Sequence, residues 1–323
     1  MTNRHDSGEF DNGQISQALL SRRRLLGLSG VGIAAIGLGV AGCGTGSGGG
    51  AAAQNVTASP SVSSAALLTA EEMEGPYYLD YELFRSDITE GKPGVPLTLR
   101  LNVVDVISGG LLKDAVVEIW QCDALGVYSG YTKAGAGGGV RPTGIPTGIP
   151  TGAFPSGGLS ALGAHQQPTD KLTYLRGSQI SDSRGSVDFQ SIFPGWYASR
   201  AIHIHTKVHV DGRRTSTGYE GGHVCHTGQL YFAEDMVAKI KVLSPYVTNT
   251  VVRTTLDQDN IYRAAGGGTR AGLLQLAQRD DQHIDKGVIA SLTLGVDPSR
   301  TNTGEDGSTM AQMRPPGVTP SAT

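Results

Sequence analysis

Within the stretch Tyr197-Ala198-Ser199-Arg200-Ala201-Ile202-His203-Ile204-His205 the chain places a phenol, a guanidinium and two imidazoles. One apolar residue separates His203 from His205, and side chains at i and i+2 of a strand leave the same face. The two rings would project side by side, close enough to grip one metal ion, while Ile204 packs the other way. On spacing alone the pair reads equally as two metal ligands or as a half-buried histidine pair with satisfied nitrogens.

The elements that must hold this stretch read as strands. Apolar and polar residues alternate along much of 97–106 and through 186–193, and 116–122, 202–210, 229–232 and 288–294 complete the set. Gly109-Gly110 and Pro194-Gly195 mark turns. Helical patterns are few and short, at 234–241 and 271–278. The pattern predicts an all-β fold: a β-sandwich of short, mostly antiparallel strands with long loops. The run Pro142-Thr143-Gly144-Ile145-Pro146-Thr147-Gly148-Ile149-Pro150-Thr151-Gly152 cannot build a core and reads as a surface loop.

Two more segments carry chemical residue types: Trp120-Gln121-Cys122-Asp123-Ala124-Leu125-Gly126-Val127-Tyr128-Ser129, and Arg176 to Gly185 running on to Phe193-Pro194-Gly195-Trp196-Tyr197. Together with Arg200-x-x-His203-x-His205 they resemble the intradiol ring-cleavage dioxygenases, the family of protocatechuate 3,4-dioxygenase and catechol 1,2-dioxygenase. The resemblance runs from Glu74-Gly75-Pro76-Tyr77-Tyr78 to the strand near Leu294. It implies a non-haem Fe(III) held by Tyr128, Tyr197, His203 and His205. It further implies Arg200 and Gln229 beside the reacting ring, and substrate contacts from Tyr77 or Tyr78. The implied partners are a catechol-type aromatic and O2, and the implied product is a cis,cis-muconate-type diacid. The ligand types agree with that metal: phenolate oxygen suits a hard ferric ion, whereas zinc is more often held by His, Cys or carboxylate.

Singly, each residue also has an ordinary structural role: a core tyrosine, a surface arginine, a glutamine bonded to a loop. The competing functional reading is a catalytically inactive, transthyretin-like binding sandwich. An extradiol oxygenase would need two His and one carboxylate on Fe(II), and no carboxylate accompanies His203 and His205. Cys122, Asp123 and Ala201 depart from common family residues without removing a ligand. His209, His223 and His226 read as loop histidines rather than a second metal site.

The ends of the chain read differently from its middle. Ser21-Arg22-Arg23-Arg24-Leu25-Leu26 before an apolar, Gly-rich run matches a twin-arginine export signal. Val40-Ala41-Gly42-Cys43 matches a lipobox that would leave Cys43 lipid-modified. The expected organisation is a signal over 1–43, a Gly/Ser/Ala tether over 44–66, the catalytic sandwich over 67–300 and a disordered tail over 301–323. Export would leave the protein lipid-anchored at the cell surface or secreted. In that oxidising space Cys122 and Cys225 could form a disulfide or remain buried thiols. A net charge of -3 across 323 residues shows no nucleic-acid footprint. The sequence leaves monomer and dimer both open.

Overall fold

The computed structural model describes residues 68–80, 82–135, 166–216 and 218–304. The signal with Cys43, the tether, the Pro-Thr-Gly run and the tail beyond residue 304 lie outside these residues. Eight strands form two four-stranded sheets. In the first, β4 (Ser186–Ile192), β1 (Pro96–Asp105), β8 (Val288–Val296) and β7 (Gln275–Gln278) lie side by side in that order. In the second the order is β3 (Arg176–Ile180), β2 (Val116–Trp120), β5 (His203–Arg214) and β6 (Tyr219–Tyr231). Among the strands of the described residues β1 and β8 pair in parallel and the other strand pairings are antiparallel, so the expected all-β sandwich is observed.

The alternation in the sequence decides which side chains meet between the sheets. Leu97, Leu99 and Leu101 of β1, Val117 and Ile119 of β2, Ile204 and Val208 of β5, and Ala290, Leu292 and Leu294 of β8 belong to one buried cluster. The second sheet is then covered on its other face too. There Trp120 pairs in register with His205, and Glu118 with Lys207. A smaller cluster of Tyr77, Trp120, Cys122, Tyr128 and Tyr131 closes over them.

The N-terminal strap, residues 68–78, supplies part of that cover. It runs against β6 through bonds from Glu72 N to Thr227 O (2.8 Å) and from Gln229 Nε2 to Met73 O (3.0 Å). Residues 301–304, assigned to the tail by composition, are also packed here: Thr227 donates to the Asn302 carbonyl and Asn302 N to Val224 O.

Two expectations change. The helix over 271–278 is not formed: Gly272 sits at φ 76° after a 3-10 turn, and the chain turns into β7, which hydrogen-bonds to β8. A short helix, α2 (Asn260–Ala264), forms instead beyond α1 (Glu234–Ile240). The disulfide is not formed either; Cys122 and Cys225 are both free and buried. Cys122 lies in the outer aromatic cluster with its thiol on the Gly195 carbonyl, whereas Cys225 belongs to the inter-sheet core at the bulge where β5 and β6 slip register. Among the described residues no helix is long and apolar enough to cross a membrane.

Burial raises both thiols, Cys225 to about 12, so neither is a ready nucleophile. Native protein should therefore resist alkylation at Cys122 and Cys225. Both should become labelled in denaturant without any reductant, as read by peptide mass spectrometry. A requirement for reductant would contradict the assignment.

Candidate metal centre

Two loops and one strand bring Tyr128, Tyr197, His203 and His205 to a single point. His203 and His205 leave β5 on the side away from the inter-sheet core, as the i, i+2 spacing requires. Tyr128 stands at the end of the loop after β2, where Asp123 Oδ1 accepts from Leu125 N and Val127 N to fix the turn. The next residue is clamped by Arg176, which donates to the hydroxyl and carbonyl of Ser129. Tyr197 rides on the loop after β4, pinned by Trp196 Nε1 to Val251 O and Asn249 Nδ2 to Trp196 O, both 2.8 Å.

Gly195 lets the two tyrosine loops cross. Its N–H donates to Asp123 O at 3.0 Å, and a Cβ there would lie 2.3 Å from Ala124 O. No other residue type permits that approach without moving backbone.

The donor atoms form a chain of short contacts. Tyr197 Oη lies 3.2 Å from His203 Nε2, which lies 3.0 Å from His205 Nε2, which lies 3.2 Å from Tyr128 Oη. Two donors each about 2.1 Å from one ion at a right angle are about 3.0 Å apart. The observed separations fit donors that share a cation and fit hydrogen bonds equally. The tautomers agree: His203 Nδ1 is 2.6 Å from the Ala201 carbonyl, which can only accept, so Nδ1 carries the proton and Nε2 presents a lone pair. Each facing Nε2 has a phenol hydroxyl 3.2 Å away that can donate to it, and a shared cation would take up the same two lone pairs.

Burial holds all four groups neutral in the absence of a metal. It lowers His203 to about 3, with the Arg200 charge adding to the effect, and drives His205 well below its ordinary value. It also raises both phenols, Tyr128 most strongly, with Tyr197 the next influence on it. Neutral imidazoles are the metal-binding form, and a bound cation reverses the phenol shifts by favouring phenolate. Among the described residues no three His, Cys, Asp or Glu side chains gather around a metal position; the phenols are what complete this one.

Aromatic packing fixes the ligands. Trp120 stacks flat on His205 (4.9 Å, 5°) and Tyr77 stacks on Tyr128 (4.8 Å). The structure thus separates the neighbours Tyr77 and Tyr78. Tyr77 lies against the phenols, while Tyr78 packs behind Trp120, receives the Lys207 ammonium over its ring and hydrogen-bonds Glu118. The buried Lys207 is paired with Glu74 of the strap. His209, His223 and His226 each have separate partners in Glu118, the Pro298 carbonyl and Glu71.

Arg200 and Gln229, each expected beside the reacting ring, are hydrogen-bonded to one another. Arg200 NH2 donates to Gln229 Oε1, and Arg200 Nε donates to Asp259 Oδ2 at 2.9 Å. Sequence reasoning missed Asp259, because nothing local marks it beyond its place before a short helix. Its Oδ1 caps α2 while Oδ2 also accepts from Ala201 N at 2.7 Å. Burial alone would raise its carboxyl; Arg200 and the Ala201 N–H outweigh that and hold it below the ordinary range. Nothing in the local sequence marks the supporting roles of Trp120, Tyr231 and Glu72 either.

No protein-family model matches the sequence, and no curated protein matches it. Solved structures do. An intradiol ring-cleavage dioxygenase from Tetranychus urticae is similar at 27% identity and TM-score 0.58, over 73% of this chain and 98% of that one. A second dioxygenase is similar at 28% identity and TM-score 0.57, over 73% and 98%. Hydroxyquinol 1,2-dioxygenase from Pseudomonas putida aligns at 16% identity and TM-score 0.40, over 71% and 67%. By fold and by its neighbours the chain resembles the intradiol ring-cleavage dioxygenases.

Gly195→Ala should part the tyrosine loops and lower affinity for a trivalent metal ion by about tenfold or more, measured by competition with a chelator. An unchanged affinity in folded variant would show that the crossing does not set the site.

Proposed function

We propose that the chain is a non-haem Fe(III) dioxygenase that opens a catechol-type ring between its two hydroxyl-bearing carbons. The observation that carries this reading is the convergence of two phenol oxygens and two imidazole nitrogens at separations of 3.0–3.2 Å. Two phenolates offset most of a trivalent charge and, as hard donors, favour ferric iron. Held by Tyr128, Tyr197, His203 and His205, a ferric ion would supply Lewis acidity toward a catechol-type substrate.

The chain's own residues do the rest. Tyr197 is the more exposed phenol, Tyr128 being buried and stacked. With a ferric ion holding it as phenolate, Tyr197 would therefore be the group placed to take a proton from an incoming catechol. Tyr128 and the Trp120-backed His205 stay fixed. Arg200, permanently cationic, offsets negative charge that develops on the ring. Gln229 spans Arg200 and the strap and holds that cation in place. Overall the carbon–carbon bond breaks, both oxygen atoms of O2 enter, and the product is a diacid. An inactive binding sandwich would have no use for four donors so placed.

The same proposal puts the enzyme outside the cytoplasm, with 1–43 as its signal, Cys43 as its lipid-bearing residue, 44–66 as its tether and 67–300 as the catalytic domain. Iron-loaded protein given catechol-type substrates under 18O2 should yield a ring-opened diacid carrying two labelled oxygens. A semialdehyde, or no ring-opened product across a panel of catechols, would overturn the activity. Cys43→Ala should shift the expressed protein from the membrane fraction to the soluble exported fraction; retention on the membrane would contradict the anchor.

A further inference from the structure

The Arg200 guanidinium sits in a socket built from three parts of the chain. Its Nε donates to Asp259 before α2 at 2.9 Å, and its NH2 donates to Gln229 Oε1 and to the Tyr231 hydroxyl at 3.2 Å, both on β6. Among the described residues NH1 has no hydrogen-bond partner. The Tyr231 hydroxyl lies 2.6 Å from Glu72 Oε2 and 3.1 Å from Gln229 Oε1. It has one proton to give and two acceptors in reach, while Arg200 donates to it. Glu72 comes from the strap, is fully buried, and its Oε1 meets no hydrogen-bond partner.

Charge counting explains the odd member. Arg200 already faces one carboxylate, Asp259, and a second ionised carboxylate in the same dry space would leave excess negative charge. Burial raises Glu72 to about 8, against the opposing pull of the Tyr231 hydrogen bond and the Arg200 charge. Burial thus favours its protonated form, which leaves the socket one cation and one anion.

We propose that Asp259, Tyr231 and Glu72 are positioning residues for Arg200, taking up its Nε and NH2 edges and leaving NH1 as the edge offered to the substrate. The proposal rests on the dioxygenase reading for the role of Arg200, and on geometry alone for the socket. A guanidinium fixed at two edges needs no reorganisation when charge develops beside the third. The strap closes the socket, because Glu72 reaches Tyr231 only while 68–78 lies along β6.

A double-mutant cycle tests it. Tyr231→Phe keeps the ring and removes only the hydroxyl. It should lower kcat about tenfold with a smaller change in KM, the cost of losing a hydrogen bond to a charged group. In an Arg200→Ala background the same change should cost nothing further. Equal losses in both backgrounds, or none in the parent, would overturn the proposal. Glu72→Leu should resemble Tyr231→Phe, and Glu72→Gln, an isostere of the protonated acid, should restore most of the loss.

A second readout does not need activity. In protein freed of metal, the 15N-detected Arg200 Nε–H should exchange slowly with solvent, and at least about tenfold faster in Asp259→Asn. Rapid exchange in the parent would remove the socket whatever the activity. Slow exchange in a parent that opens no catechol would remove the dioxygenase reading and leave the socket standing.

Discussion

His203 and His205 leave β5 on the face away from the inter-sheet core, and that choice of face obliges the chain to build a second buried region there. One side of the sheet would suffice for a plain sandwich. Here Ile204 and Val208 meet the core while the alternate residues need cover of their own. The strap, the loop after β2 and the loop after β4 provide it, and each delivers a residue to the proposed metal centre or its support. Stacking by Trp120 and Tyr77 is the packing price of holding imidazole and phenol out of water.

Burial keeps the two phenols and two imidazoles neutral, so holding them out of water costs no uncompensated charge, and the real charges are paired: Arg200 with Asp259, Lys207 with Glu74. Removing one partner of such a buried pair typically costs about 3–5 kcal/mol, enough to threaten a domain of ordinary stability. Glu72 runs the other way. Its carboxyl is raised when folded, so the unfolded state ionises first and stability falls as pH rises from about 4.5 towards about 8. Asp259, held low when folded, contributes stability that fades instead as pH falls into the acid range.

Residues whose partners are set by local periodicity were legible. The strands β1, β4 and β8 alternate in the sequence, and the His203/His205 pair declares a shared face. Tyr128 and Tyr197 were legible only through resemblance, since a lone tyrosine has no spacing to betray it. The edge strand β3, with sequence Arg-Gly-Ser-Gln-Ile, has no apolar alternation because its bonds to β2, not its own pattern, make it a strand. Leu273, Leu274 and Leu276 imitate a helix face until Gly272 turns the chain and β8 claims the segment as a neighbour. Asp259 acts on Arg200 across 59 positions, and no window on the sequence spans that. Cys122 and Cys225 share a compartment argument but sit in different clusters, a fact that only the register of β6 decides.

Binding of ferric iron through the two phenolates is tested most directly by visible absorption and resonance Raman spectra of the iron-loaded protein, before and after anaerobic addition of catechol. Such binding should give a coloured protein with tyrosinate ring vibrations enhanced in its visible band, and a band that moves when catechol binds. A colourless iron-loaded protein, or a visible band without tyrosinate vibrations, would contradict it.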